Sequence, residues 1–258
     1  LMGTRSAFGS CWNNTVPSTQ LADMYELKDG RPFSWNDVFP GYNEATPDQR
    51  KELLSVEMDA SGAVIGLRDV DTAQILNVYK SRDPRMMATL IVPYSIYKGC
   101  IGKTTPRDML FAMDHNVQGN ENQGTIRNNK GWISYLYRKF VVEYDLGGAI
   151  SDRLHTPFEF PLIRYADVLL MLAEAYNENN QLDKAVAEFN KVRARVDMPG
   201  LNSGPAWMLV TSKEQMAERI RKERAVEFAG EGLRFSDLRR WGWEIASKAM
   251  SEVDAINI

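Results

Sequence analysis

The stretch PLIRYADVLLMLAEAY, residues 161–176, decides the fold. Within it Leu162, Tyr165, Leu169, Leu172 and Tyr176 recur at alternating spacings of three and four, and Ile163, Ala166, Leu170 and Ala173 form an adjacent stripe. That period is helical, and the two stripes together make an apolar face wide enough to predict burial on more than one side. After the polar break Glu178-Asn179-Asn180, a second stripe runs through Leu182, Ala185, Phe189, Val192 and Val196. The two helices are therefore expected to fold back as an antiparallel hairpin, ended by Pro199 and Gly200. Small residues at Ala166, Ala173, Ala175 and Ala185 let the paired backbones approach, and the span of about 34 residues matches the tetratricopeptide (TPR) period.

Working toward the C-terminus, Ser212 is followed three residues later by Gln215, a capping box that predicts a helix from Lys213 to about Ala229. Gly230 and Gly232 break it before a last helix, expected over about Leu233–Met250. Helix pairs of this kind cannot bury their apolar faces alone, and a stack needs roughly three repeats. The remaining faces are expected to be covered by a further N-terminal segment or by the first part of the chain.

Residues 1–160 read differently. Gly30, Pro32, Pro40, Gly41, Pro47, Pro84, Pro93, Gly99, Gly102 and Pro106 punctuate them too closely for long helices. A short helix with proline in its first turn is expected over Pro47–Glu57, and strands over Met86–Val92 and Tyr135–Tyr144. The organisation expected is one incomplete, mainly α domain over residues 1–258. Its first part, 1–160, is loop-rich with a few short strands and faces the ligand; its second, 161–258, carries the TPR-like hairpins.

Composition narrows the function. The 258 residues are 44% apolar and 25% charged, an ordinary globular balance, and 31 basic against 34 acidic residues leave a formal charge of −3 with no concentrated basic run. Nucleic acid and anionic membrane surfaces are therefore not expected partners. Cys11 and Cys100 lie far apart, and His115 and His155 have no clustered ligands beside them, so neither a metal nor another cofactor is expected. Asp114, Asn116 and Gly119 faintly imitate a calcium loop, but Thr125 stands where the bidentate glutamate belongs, and a surface turn is the simpler reading. No apolar run is long enough to span a bilayer. The chain also opens without the features of a signal peptide, as though in mid-domain.

Four segments, in order along most of the chain, resemble those of the SusD/RagB family of outer-membrane nutrient-binding lipoproteins. They are Thr19–Glu26 with Lys28-Asp29-Gly30; Tyr79–Arg85 running into Met86–Leu90; Gly131-Trp132 with Tyr137–Phe140; and Pro161–Ala175 with Glu223–Phe228 and Asp237–Arg240. The resemblance implies a non-catalytic glycan-capture protein at the cell surface. It would hand oligosaccharide to a SusC-type TonB-dependent transporter and be held to the outer membrane only by a lipid anchor on an N-terminal segment absent here. Cys11 is not that anchor's cysteine, because no apolar lipobox precedes it. The alternatives kept beside this reading are a TPR-type scaffold, a peptide-binding member of the same family and, behind both, a glycoside hydrolase. For the last, no acid pair, G-x-S-x-G elbow, P-loop or H-E-x-x-H signature is recognisable.

Aromatic faces stack on the apolar C–H face of a pyranose, so exposed aromatics are the candidate ligand contacts. Tyr165, Tyr176 and Phe189 lie on helical stripes and are expected in the core. The loop aromatics Trp12, Trp35, Tyr42, Tyr94, Tyr97 and Trp132 have no such explanation. Among them Trp12, Trp35 and Tyr42 are the expected ligand-binding residues; the choice of the two tryptophans follows the family resemblance, which places ligand-facing loops near Thr19–Gly30. Arg82, Asp83 and Arg85, and the mixed charges from Arg221 to Arg240, are expected to be a structural clamp and an ion-pair lattice rather than a ligand site.

Overall fold

The computed structural model describes residues 16–54, 56–58, 60, 64–67, 72–99, 107–112, 124–127, 135–140, 143, 159 and 161–254. Cys11, Trp12, Cys100, residues 114–119 with His115, Trp132 and His155 lie outside the described residues. The chain forms two compact units. The first comprises residues 1–19, 34–80 and 87–160; the second comprises residues 20–33, 81–86 and 161–258. The helical unit thus draws two short segments from the loop-rich part of the sequence.

The second unit is built on the expected hairpin. It begins with the short helix α1 (Thr19–Met24), and its principal helices are α5 (Tyr165–Glu178), α6 (Leu182–Ala194) and α7 (Lys213–Glu227). Both α6 and α7 pack on α5, enclosing Leu169, Leu170, Ala173, Ala185, Phe189, Val192, Met216 and Ile220. The turn between α5 and α6 works because Asn180 takes a left-handed conformation (φ 57°). Gln181 N–H can then reach the Tyr176 carbonyl at 2.9 Å and Asn180 N–H the Asn177 carbonyl at 3.0 Å, satisfying the last carbonyls of α5. Asp197 (φ 56°) ends α6 in the same way. The capping box of α7 forms as read, with Ser212 accepting from Gln215 N–H and the Gln215 side chain turned back to Ser212 N–H.

Two expectations about this unit need correcting. The last helix is not continuous: Gly242 (φ 97°) separates α8 (Arg234–Trp241) from α9 (Trp243–Asp254). Nor is α5 buried on more than one side. Because α6 and α7 share one face, Tyr165, Val168, Met171 and Leu172 remain exposed, as do Leu162 and Ile163 just before the helix, and Tyr165, expected in the core, is 72% exposed. Phe189 is fully buried and Tyr176 packs against the core, as expected.

A lattice of buried ions ties the borrowed segments to the helices. Arg82 is 1% exposed, lies over the Phe33 ring and donates to the Ala22 and Tyr25 carbonyls. Arg85 donates to Asp83, to Glu223 at 2.6 Å and to Glu227 at 3.0 Å. Glu26 accepts from Arg193 and Arg219, each at 3.0 Å, while Arg224 joins Asp167 to Asp237. Burial works against the charge on Arg85, but Glu223 and Asp83 outweigh it and hold the guanidinium well above its ordinary pKa. These contacts make Arg82, Asp83 and Arg85 a structural clamp and place Glu223, Arg224, Glu227 and Asp237 of the second charge group in an ion-pair lattice.

The first unit carries α2 (Pro47–Leu53), α3 (Thr72–Lys80) and short strands. α2 begins at proline, with Thr46 and Gln49 forming a full capping box. β1 (Val56–Met58) pairs antiparallel with β2 (Val64–Leu67). The expected strand over Met86–Val92 is instead mostly helix: α4 (Pro84–Thr89) starts where Pro84 fixes φ and the Asp83 side chain accepts from Arg85 N–H, leaving β3 only Leu90–Ile91. β3 pairs with β7 (Leu136–Tyr137), shorter than the expected Tyr135–Tyr144, and Phe140 (φ 65°) leaves the extended region. β4 (Ile96–Gly99), β5 (Arg107–Ala112) and β6 (Gly124–Arg127) form a three-stranded sheet, antiparallel then parallel. Ile91, Tyr97, Met109, Phe111 and Leu136 fill its core.

Candidate functional site

The site grows from one turn of chain in the first unit. Ser34 caps a 3₁₀ turn over Trp35–Asp37 by accepting from Asn36 N–H. Phe39 N–H then bonds the Trp35 carbonyl at 2.8 Å and Tyr42 N–H the Phe39 carbonyl at 3.0 Å. This winding sets residues 35, 39 and 42 on one side. The Trp35 ring lies 6.3 Å from Phe39, nearly parallel, and 5.8 Å from Tyr42, tilted by 43°. Two of the residues chosen individually from sequence are thus neighbours, both half-buried.

Behind them the cluster is anchored. Trp35 meets the buried Tyr79 edge-on at 6.5 Å, and Tyr79 meets Tyr135 edge-on at 6.0 Å with their hydroxyls 3.4 Å apart. Such aromatic contacts add to the area buried and fix the orientation of each ring.

Around the rings runs a polar rim. Asn36 donates to both carboxylate oxygens of Glu44 at 3.0 Å and accepts from Asn43 N–H at 2.8 Å, while Asn43 donates to Ser34 at 3.1 Å. Arg50 donates to the Tyr42 and Asn43 carbonyls, and its guanidinium sits 4.9 Å from the Tyr42 ring centre. Partly buried rings bordered by amides, a carboxylate and a guanidinium can offer their open edges and faces to an apolar ligand face and bond hydroxyls beside it.

The other loop aromatics fare differently. Tyr94 and Tyr97 are buried, Tyr97 in the sheet core, and neither is available to a ligand. Phe39, Asn36, Asn43, Glu44 and Arg50 were not singled out from sequence, although Trp35, Phe39 and Tyr42 stand at i, i+4 and i+7, a helical spacing in a stretch too rich in Pro and Gly to be read as helix. Among the described residues no group of histidine, cysteine and carboxylates is arranged to hold a metal ion, and no helix is long and apolar enough to cross a membrane.

Comparison with known proteins agrees with this architecture. A SusD-like protein of Formosa agariphila is 36% identical over 98 residues, 37% of this chain and 18% of that protein. A SusD-like protein from Bacteroides fragilis superposes with a TM-score of 0.55 at 24% identity, covering 89% of this chain and 36% of its own. A SusD-like carbohydrate binding protein from the same species gives 0.54 at 25% identity, covering 88% and 35%. The chain therefore spans about a third of the length of these solved relatives. The model of the SusD family matches residues 3–256, and the chain belongs to that family.

Proposed function

We propose that this protein captures oligosaccharide at the cell surface and breaks no bond in it. Proteins of the family are in general outer-membrane lipoproteins, generally non-catalytic, that bind glycan and associate with SusC-type transporters. The proposal extends that role to this chain: it presents bound glycan to a SusC-type TonB-dependent transporter and is held to the outer membrane by a lipid anchor. The observation that carries the reading is the pairing of Trp35 with Tyr42 at 5.8 Å, partly buried and rimmed by Asn36, Asn43, Glu44 and Arg50. The relative described as a carbohydrate binding protein supports it. The ligand contacts belong to Trp35 and Tyr42, with Trp12 added from the sequence.

Native affinity electrophoresis in gels containing single polysaccharides tests this, with chromatography of any products. Retardation in at least one gel without released sugar is the expected result. Release of shorter sugars would replace capture with hydrolysis.

One observation favours a second reading. The exposed row Leu162, Ile163, Tyr165, Val168, Met171 and Leu172 is the kind of contiguous apolar face that marks a protein contact, and it fits a TPR-type scaffold. Indifference to every polysaccharide would favour the scaffold.

A further inference from the structure

Trp207, on the helical unit, is an exposed aromatic that neither the sequence reading nor the family match singles out. Trp207 sits at the tip of the loop between α6 and α7, in a 3₁₀ turn over Ala206–Met208, and is 41% exposed. The loop does not depend on it for anchorage. Met208 is fully buried in the core, Asn190 bonds both the N–H and the carbonyl of Leu201, and Asn202 bonds both the N–H and the carbonyl of Val210. With the turn already fixed by these residues, folding alone does not require a large indole on the water side, where part of its burial energy is forgone.

The ring is nonetheless held in one orientation. Its Nε1–H donates to the Asp29 carbonyl at 3.1 Å, Arg219 donates to the Trp207 carbonyl, and the Arg31 guanidinium lies 5.8 Å from the ring centre. Beside it Asp29 accepts from Arg31 twice, from N–H at 3.0 Å and from Nε at 2.7 Å, with both side chains about half exposed. Gly30 makes the approach possible: its φ is +82°, and a Cβ there would fall 2.4 Å from the Met208 sulfur. A pinned, half-open indole beside a fixed carboxylate and guanidinium offers a stacking face and an adjacent row of hydroxyl partners. The Asp29–Arg31 pair is neutral as a whole, which favours an uncharged sugar over an acidic one.

We propose that Trp207, Asp29 and Arg31 form a second carbohydrate subsite, on the helical unit, for a neutral pyranose of a bound oligosaccharide. The subsite rests on the glycan-capture reading above but uses none of the residues of the Trp35 cluster. Full-length protein labelled with 5-fluorotryptophan separates the two. Fluorine resonances are assigned through Trp207→Phe and Trp35→Phe, then followed while malto-, cello-, xylo- and mannohexaose and a galacturonate oligomer are titrated in. Saturable movement of the Trp207 resonance with a neutral hexaose is expected, with affinity lowered roughly tenfold by Trp207→Ala, lowered in the same direction by Asp29→Asn and largely retained by Trp207→Tyr. A Trp35 resonance that moves while Trp207 stays still overturns the subsite and leaves the capture reading intact. Stillness of both across the panel overturns the two together, and a response of Trp207 to the galacturonate alone overturns the neutral-sugar assignment.

Discussion

Arg85 and Glu223 stand 138 residues apart in sequence and meet at 2.6 Å between Nη1 and Oε1, both almost wholly buried. Glu223 passes the link on through its other oxygen, which accepts from Arg193 at 3.2 Å. Removing Arg85 leaves Asp83, Glu223 and Glu227 buried with less opposite charge to balance them. Arg85→Met is expected to destabilise the protein by roughly 3–5 kcal/mol, measured by urea unfolding, whereas Arg31→Met, on an exposed pair, is expected to cost at most about 1 kcal/mol.

The same lattice sets an acid limit. Burial opposes ionisation of Glu227, yet the charges of Arg85 and Arg195 and a hydrogen bond from Arg164 outweigh it, so its carboxyl lies below the ordinary value of 4.5. Glu174 is lowered likewise, burial being outweighed by Arg240 and Trp241. A carboxyl with a depressed folded-state pKa contributes stability that is present above its unfolded pKa and lost as pH falls through the folded one. Thermal unfolding followed by circular dichroism should show Tm flat near neutrality and falling below about pH 4.5. In Glu227→Gln the neutral-pH Tm should be lower and the acid slope shallower.

Gly30 is a backbone requirement rather than a ligand contact. Its left-handed φ and the 2.4 Å clearance to Met208 mean that Gly30→Ala must both strain the turn and displace a buried side chain. A loss of roughly 1–3 kcal/mol is expected by chemical denaturation. At Gly242 (φ 97°, ψ 169°) an added Cβ meets nothing within 4 Å, so Gly242→Ala should cost only the conformational strain, about 1–3 kcal/mol.

The helical unit was legible because its signals are local. The three-and-four spacing in α5 and α6 and the Ser212–Gln215 box each lie within one element, and Arg82 and Arg85 sit in a Pro-fixed turn whose charges needed partners. The misreadings share a cause. Tyr165 lies on an apolar stripe, but a stripe shows which side of a helix is oily and not whether another element arrives to cover it. Gly242 interrupts a pattern of apolar and charged residues that continues on either side, so periodicity runs through the break. The strand expected over Met86–Val92 lost to Pro84, whose fixed φ starts a helix.

The candidate site was half legible. Trp35 and Tyr42 stood out as loop aromatics without a stripe, but Phe39 between them did not, and the rim depends on tertiary contacts such as Asn36 with Glu44. Tyr94 and Tyr97 looked equivalent to them, yet the sheet core takes both.

Calorimetric titration of the full-length protein with neutral oligosaccharides, repeated with Trp35→Ala and Tyr42→Ala, tests the central claim most directly. Saturable binding to at least one sugar, weakened roughly tenfold or more by Trp35→Ala with the melting temperature little changed, is the predicted result. Binding that persists unaltered in both variants would contradict the assignment of capture to the Trp35–Tyr42 cluster.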